Sequence, residues 1–311
     1  MWGPPSARAR KRHQRPPPPH TLLFPPPLQD GASFSSSRGY DSASGLHFAG
    51  AFIFNATFTQ LLALGLGDAT EVVLKGCSAG GLAVYLHCDL FSAMLKAAGS
   101  SARVVCMPDA GFFRMDVPAY NGVPRYTPEQ QWVYAYQGVT QMDAGCVAAH
   151  AATNDTWRCF FAEANLPYIT TPLFVTQDTV DSWQMANVLA LPCNPGLPPS
   201  NPKGCNATYI AVMDGFHASM LAAYAPLLNS PTNGGYLSSC YQHCHQNIDG
   251  VWAQELVANL TVEEAFFGWW SGAPGAPRFA VDGLWRSNAH CYGSPYDAPC
   301  SRAPLSPSAL A

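Results

Sequence analysis

The chain has 311 residues, 48% of them hydrophobic and 12% charged, with a net charge of −4. That length holds one large domain or two small ones, and a single α/β layer structure is the simpler reading. Arg8, Arg10, Lys11, Arg12 and Arg15 crowd the first fifteen positions; without them 11 Lys and Arg face 20 Asp and Glu, a balance of −9 that excludes a basic nucleic-acid platform.

Residues 1–27 hold proline runs and lack the apolar core of a secretory leader, so they are expected to be disordered, with the folded domain over residues 28–311. Residues 30–34 read as a turn. Residues 42–67 contain no Asp, Glu, Lys or Arg, long enough to raise a membrane span, but Asn55, Thr57, Thr59 and Gln60 interrupt the run. Phe54, Phe58, Leu61 and Leu62 share one helical face, so a mostly buried helix ending near Gly65 is expected instead, with no membrane contact.

Next comes the stretch EVVLKGCSAGGL, residues 71–82. Val72, Val73 and Leu74 make a β-branched and apolar strand, Gly76-Cys77-Ser78-Ala79-Gly80 fits G-x-S-x-G, and helix-compatible residues follow to about Ala98. In that context Ser78 is the candidate nucleophile. Glycines at 76 and 80 are read as positions where a Cβ would collide. The Ala79 N–H, at the helix start, is the expected oxyanion donor.

Strands are expected over residues 103–107 and 172–176, a helix over 183–191, a loop clasped by Cys193 and Cys205, a strand over 209–213, a helix over 216–228, a last core strand over 235–239 and a helix over 262–270. The tail reads as loops. Alternating strands and helices predict a parallel sheet covered on both faces.

A nucleophilic serine needs a base, and the base an orienting acid; on such a sheet they follow later strands in the order serine, acid, histidine. Asp181 comes 103 residues after Ser78, and His243 another 62 on. Asp178 is an alternative acid, and Asp181 reads equally well as a helix N-cap. His87, His217, His245 and His290 compete with His243; His217 reads as packed in core or surface, and His87 as solvated. Cys240-Tyr-Gln-His243-Cys244-His245 could ligate a metal, but two disulfides pinning the histidine loop fit better than four ligands from six consecutive residues. Cys77 reads as a small buried residue or half-cystine. Phe112, Phe113 and Trp183 are either an acyl-pocket lining or plain core. Eleven cysteines and N-x-S/T sequons at Asn55, Asn154, Asn206 and Asn259 favour an oxidising, secretory setting.

Several pieces then resemble one family in order: DGASF at 30–34, LHFAG at 46–50, GCSAGGLA at 76–83, DAGFF at 109–113, TPLF at 171–174, DSWQ at 181–184 and SCYQHCHQ at 239–246. Together they resemble the plant-type pectin acetylesterases, in the wider group that includes the Notum carboxylesterases. The resemblance implies a three-layer α/β-hydrolase-like fold with a mostly parallel sheet. It implies Ser78, Asp181 and His243 as catalytic residues, and a secreted esterase that takes acetyl groups from pectin with no cofactor and no metal. Nothing before Asp30 matches the family's glycine-tryptophan turn, and Gln29 stands where the family carries cysteine. The expectation is therefore a form lacking the N-terminal strands and one oxyanion donor. A carboxylesterase for another acyl group, or an impaired remnant that only binds polysaccharide, are the competing readings; oligomeric state is left open.

Overall fold

The structure, a computed structural model, describes Ala32 and residues 34–193, 205–244 and 249–283. The expectations for residues 1–27, most of the 30–34 turn, the inside of the 193–205 loop, His245, His290 and the C-terminal tail lie outside them.

A small antiparallel hairpin comes first, β1 (Gly39–Asp41) and β2 (Leu46–Phe48), the second strand inside the uncharged stretch 42–67 read toward a helix. Helix α1 (Gly50–Ala63) follows. Among the described residues the central sheet has five strands, all parallel, in sequential order: β3 (Glu71–Cys77), β4 (Arg103–Asp109), β5 (Phe174–Asp178), β6 (Gly234–Ser238) and β7 (Phe279–Val281). The connections carry α2 (Ala79–Ala97); α3 (Tyr126–Gln137), α4 (Ala144–His150) and α5 (Ala162–Asn165); α6 (Ser182–Asn187), α7 (Ala207–Ala223) and α8 (Ala225–Leu228); and α9 (Asp249–Gln254) and α10 (Val262–Ser271).

The period-2 alternation of strand side chains splits the core into two layers. Cys106, Leu173, Val175 and Leu237 face one side, against Leu82, Tyr85 and Leu86 of α2 and Met213, Phe216 and Met220 of α7. Val105, Met107, Phe174, Tyr236 and Ala280 face the other, under Ala265, Phe266 and Trp269 of α10. Strands buried on both faces explain why β4, β5 and β6 read as continuous apolar runs. Helix α10 starts at a capping box, Thr261 and Glu264 each bonding the other's backbone N–H.

Three expectations are corrected. Helix α1 is mostly exposed, with only Gly50, Ala51 and Phe58 buried; it leans on Phe91, Leu95, Val72 and Leu74 through Phe58, Phe54 and Leu62 and leaves Phe52 and Ile53 in solvent. Residues 209–213 are helical, not a strand. The Asn206 side chain accepts the Tyr209 N–H as an N-cap, and Met213, Phe216, His217 and Met220 then fall on one buried face at 3.6-residue spacing. The sheet does not end at 235–239, because β7 pairs outside β6 in parallel register. Among the described residues no helix is long and apolar enough to cross a membrane.

Candidate active site

The site lies where β3, β5 and β6 end on the same rim of the sheet, as parallel strands require. After Cys77 the chain turns through Ser78, whose φ of 60° and ψ of −124° are unusual for a residue with a Cβ, and enters α2 directly. The Ser78 N–H is tied down to Asp109 O at 2.9 Å, and Ser78 O accepts the Leu82 N–H at 2.9 Å. The elbow is tight because glycines let backbones touch. A Cβ at Gly76 would lie 2.4 Å from Gly80 O, and one at Gly81 would lie 2.3 Å from Asp109 O. Gly80 itself has open space, which corrects the expectation of a collision there; the third glycine that matters is Gly81, facing Gly111.

Three side chains from three strand ends meet. Ser78 Oγ lies 2.8 Å from His243 Nε2, and His243 Nδ1 lies 2.7 Å from Asp181 Oδ2. The carboxylate can only accept, so it fixes the proton on Nδ1 and leaves Nε2 to accept from the Ser78 hydroxyl. The imidazole is 14% exposed and Asp181 is fully buried. A buried carboxylate must be satisfied by donors. Asp181 Oδ1 takes the Gln184 N–H at 2.9 Å, and Oδ2 also accepts from Gln177 Nε2 at 3.1 Å. The two readings of Asp181 therefore coexist: it caps α6 with one oxygen and holds the histidine with the other. Asp178, the alternative acid, is buried at the end of β5, while the carboxylate that meets His243 belongs to Asp181.

Gln177 and Gln184 were not singled out from sequence. Gln177 Oε1 accepts the Phe112 N–H at 3.1 Å, while Gln184 donates to Phe112 O at 3.1 Å and accepts the Arg114 N–H at 3.0 Å. The two amides thus lash the segment after β4 to the acid. Such contacts leave no spacing signature, so only the DSWQ string pointed near them. The Ser182 N–H also donates to Gln242 O at 2.9 Å, joining the start of α6 to the histidine loop.

The cysteines settle the neighbouring chemistry. Cys77 and Cys244 form a disulfide, bridging the residue before Ser78 to the residue after His243, and Cys240 is also disulfide-bonded. With both sulfurs oxidised and the His243 ring nitrogens between Ser78 and Asp181, the CYQHC stretch has no free thiolates to offer a metal. Cys88–Cys106, Cys146–Cys159 and Cys193–Cys205 are the other bridges described.

Competing histidines are engaged elsewhere. His87 is buried, not solvated as read; its Nε2 is 2.9 Å from Ser35 Oγ, and burial lowers its pKa to about 4. His217 Nδ1 sits 2.8 Å from Thr179 Oγ1, and burial lowers its pKa as well. Of the three aromatic candidates, Phe112 belongs to the core, packed on Tyr224 at 4.3 Å. Phe113 and Trp183 contact each other at 5.0 Å, and their rings lie 6.4 and 6.3 Å from the His243 ring. Tyr126 closes the cluster at 5.9 Å from Trp183.

A covered parallel sheet with a strained serine between strand and helix, facing a histidine and an acid from later strands, has the architecture of an α/β-hydrolase-like protein. The same fold is seen in the Wnt deacylase Notum from Drosophila, with a TM-score of 0.68 at 21% identity over 84% of this chain and 71% of that one. The chain belongs to the pectinacetylesterase family, which it matches over residues 28–292. It is 33% identical to pectin acetylesterase 5 of Arabidopsis thaliana over 85% of its own length and 62% of the relative's, and 32% identical to pectin acetylesterase 7 over 78% and 63%. Palmitoleoyl-protein carboxylesterase notum1 of Xenopus laevis is 28% identical over 46% of this chain and 30% of its own length. The chain thus spans under two thirds of the length of the pectin acetylesterases it matches.

Proposed function

We propose that the chain is a serine carboxylic-ester hydrolase that removes acetyl groups from pectin, with Ser78 as nucleophile, His243 as general base and acid, and Asp181 as orienting acid. The observation that carries this is the continuous Ser78–His243–Asp181 contact, 2.8 and 2.7 Å, at one sheet rim. As the Ser78 oxygen adds to the acetyl carbonyl, His243 Nε2 takes the hydroxyl proton, and Asp181 stabilises the imidazolium. The carbonyl oxygen gains charge. The Ala79 N–H, first in α2 and so without an intrahelical acceptor, is the donor proposed to meet it, helped by the helix dipole.

Collapse returns the proton from His243 to the departing sugar oxygen and leaves acetyl-Ser78. Water, deprotonated by the same imidazole, adds to the acyl carbon; acetate leaves and Ser78 regains its proton. Phe113 and Trp183 give the histidine an apolar flank where an acyl methyl would be sheltered from water. Every proton transfer has a side chain of this chain to carry it. The intrachain disulfides fit an extracellular, cell-wall setting for the enzyme.

The test is acetate release from acetylated pectin by wild type and by Ser78→Ala. Wild type should release acetate, and the variant should lose about four orders of magnitude in rate or more while its melting temperature holds. Acetate release by the folded variant at the wild-type rate would remove Ser78 from the mechanism.

A further inference from the structure

One helix links the rim to a built aromatic surface. Tyr126, the first residue of α3, lies in the cluster beside His243; Trp132 stands six residues on, about 9 Å along the helix axis. Trp132 is 60% exposed, an unusual state for a side chain that is highly buried on average. It is also held still. Its ring stacks on Tyr136, one turn later, at 4.6 Å and 16° between planes. Tyr136 is fixed in turn: its hydroxyl donates to Asp41 Oδ2 at 2.7 Å, Phe48 abuts its edge at 5.8 Å, and the Arg38 guanidinium lies 4.6 Å from its ring centre. A second exposed ring, Tyr120, stands on another arm of the site. Its N–H donates to Leu189 O just past α6, and its ring meets Tyr209 edge-on at 5.5 Å.

We propose that Trp132, stacked on Tyr136, whose ring in turn carries the Arg38 guanidinium, is a polymer-binding subsite that holds a uronic-acid polysaccharide chain outside the catalytic rim, with Tyr120 as a second contact. This rests on the reading of the protein as a pectin deacetylase and names how the polymer, as opposed to the ester alone, is recognised. A pyranose presents a face of C–H groups, slightly positive and apolar, that matches the negative face of an indole. Because the indole is already fixed by its neighbours, little rotamer freedom is lost on binding. Arg38 is ion-paired to Asp41 at 3.2 Å and donates through Nη1 to Tyr136 O, but it keeps 40% of its side chain in solvent, so its remaining N–H groups can donate to a uronate carboxylate. Along the same exposed stripe Arg125 and Glu129 neutralise each other at 3.1 Å, so no net negative charge repels the polymer there. Tyr40 and His47 pair on the opposite face of the hairpin from Asp41 and are not part of this surface.

The experiment uses the full chain. The ratio of the KM for acetylated pectin to the KM for p-nitrophenyl acetate should rise about fivefold in Trp132→Ala and recover in Trp132→Phe, which keeps a ring. In the Ser78→Ala background, de-esterified polygalacturonate should bind about fivefold more weakly once Trp132 is also replaced by Ala, with melting temperatures compared throughout. An unchanged ratio with unchanged polygalacturonate binding overturns the subsite, and binding of a neutral glucan as tight as polygalacturonate overturns its uronate selectivity. Loss of all ester hydrolysis by wild type would instead sink the deacetylase reading, while the binding measurement on the inactive variant would still decide the subsite.

Discussion

The rim of the sheet and its outer flank are built on opposite terms. At the rim, Asp181 is fully buried, each of its oxygens has donors, and a disulfide joins the two loops that carry Ser78 and His243. On the flank, β3 is the end strand of the sheet among the described residues, and α1 leans beside it with Phe52, Ile53 and Leu64 in solvent; Val73 of β3 is 40% exposed. The rim depends on geometry, where a displacement of about 1 Å can cost a hundredfold in rate. The flank depends on area alone, and its side chains can change with little effect on the fold. Precision in this chain is therefore concentrated at strand ends.

The strongest way to break this contrast is Asp181→Asn. Asparagine is as good an N-cap as aspartate, so α6 should keep its start and the melting temperature should barely move. The imidazole loses its ionic partner and its tautomer, so kcat for acetate release should fall by about 10⁴-fold. A large melting shift with little kinetic loss would mean that the cap, and not the histidine contact, is what the residue supplies.

Removing the tie comes next. Cys77→Ala with Cys244→Ala should lower kcat by roughly ten- to a hundredfold, because His243 then loses its covalent tie to the serine elbow and rests on the Asp181 contact and the Cys240 bridge. It should also destabilise the fold by about 2–5 kcal/mol in denaturant melts. Full activity in the double variant would show that the rim is ordered without its cross-link.

A third test reaches the inner side of the flank, where His87 packs 4.5 Å from Phe54 of α1. Burial holds this imidazole neutral, lowering its pKa to about 4 from the ordinary 6.5. The unfolded chain therefore binds more protons between those two values. The stabilising contribution is fully present above about pH 6.5 and is lost as the pH falls toward 4, by roughly 3 kcal/mol at most. Melts of wild type and His87→Gln between pH 7 and 4 should show the wild type losing more; parallel losses would assign the acid sensitivity to other groups.

The smallest effect is expected at Val73→Lys. Stability should change by no more than about 0.5 kcal/mol. Self-association in light scattering should drop, since a charge blunts an open strand edge. A loss of several kcal/mol would show that the flank is as constrained as the rim.

Legibility in the sequence follows the same division. The elbow points to Ser78, and the order serine, acid, histidine past later strands points to His243; the residues alone leave Asp178 open beside Asp181, and it is the DSWQ resemblance that favours Asp181. Strands β4, β5 and β6 are buried on both faces, while half-exposed β3 could be read from Val72, Val73 and Leu74 leading into the elbow. The pairing of Cys77 with Cys244 could not, since any of several cysteines might have partnered either one and only the sheet brings residues 77 and 244 together. Gln177 and Gln184 act through amide bonds that follow no periodicity. Helix α1 misled because its composition is that of a buried element, and composition does not say which side of a helix meets a neighbour. The segment at 209–213 misled because its β-branched and aromatic residues suit a strand; the cap at Asn206, four residues before Ile210, is the stronger signal.

The bridge between Cys77 and Cys244 spans 167 positions, so it can form only after nearly all of the domain has been made. Its closure also needs an environment that oxidises thiols. Chains still in a reducing interior would carry serine and histidine on loops without a covalent link between them. If the proposed hydrolase is made in such an interior and then exported, it would gain this covalent tie, and the ten- to hundredfold in rate expected from it, only on reaching an oxidising compartment.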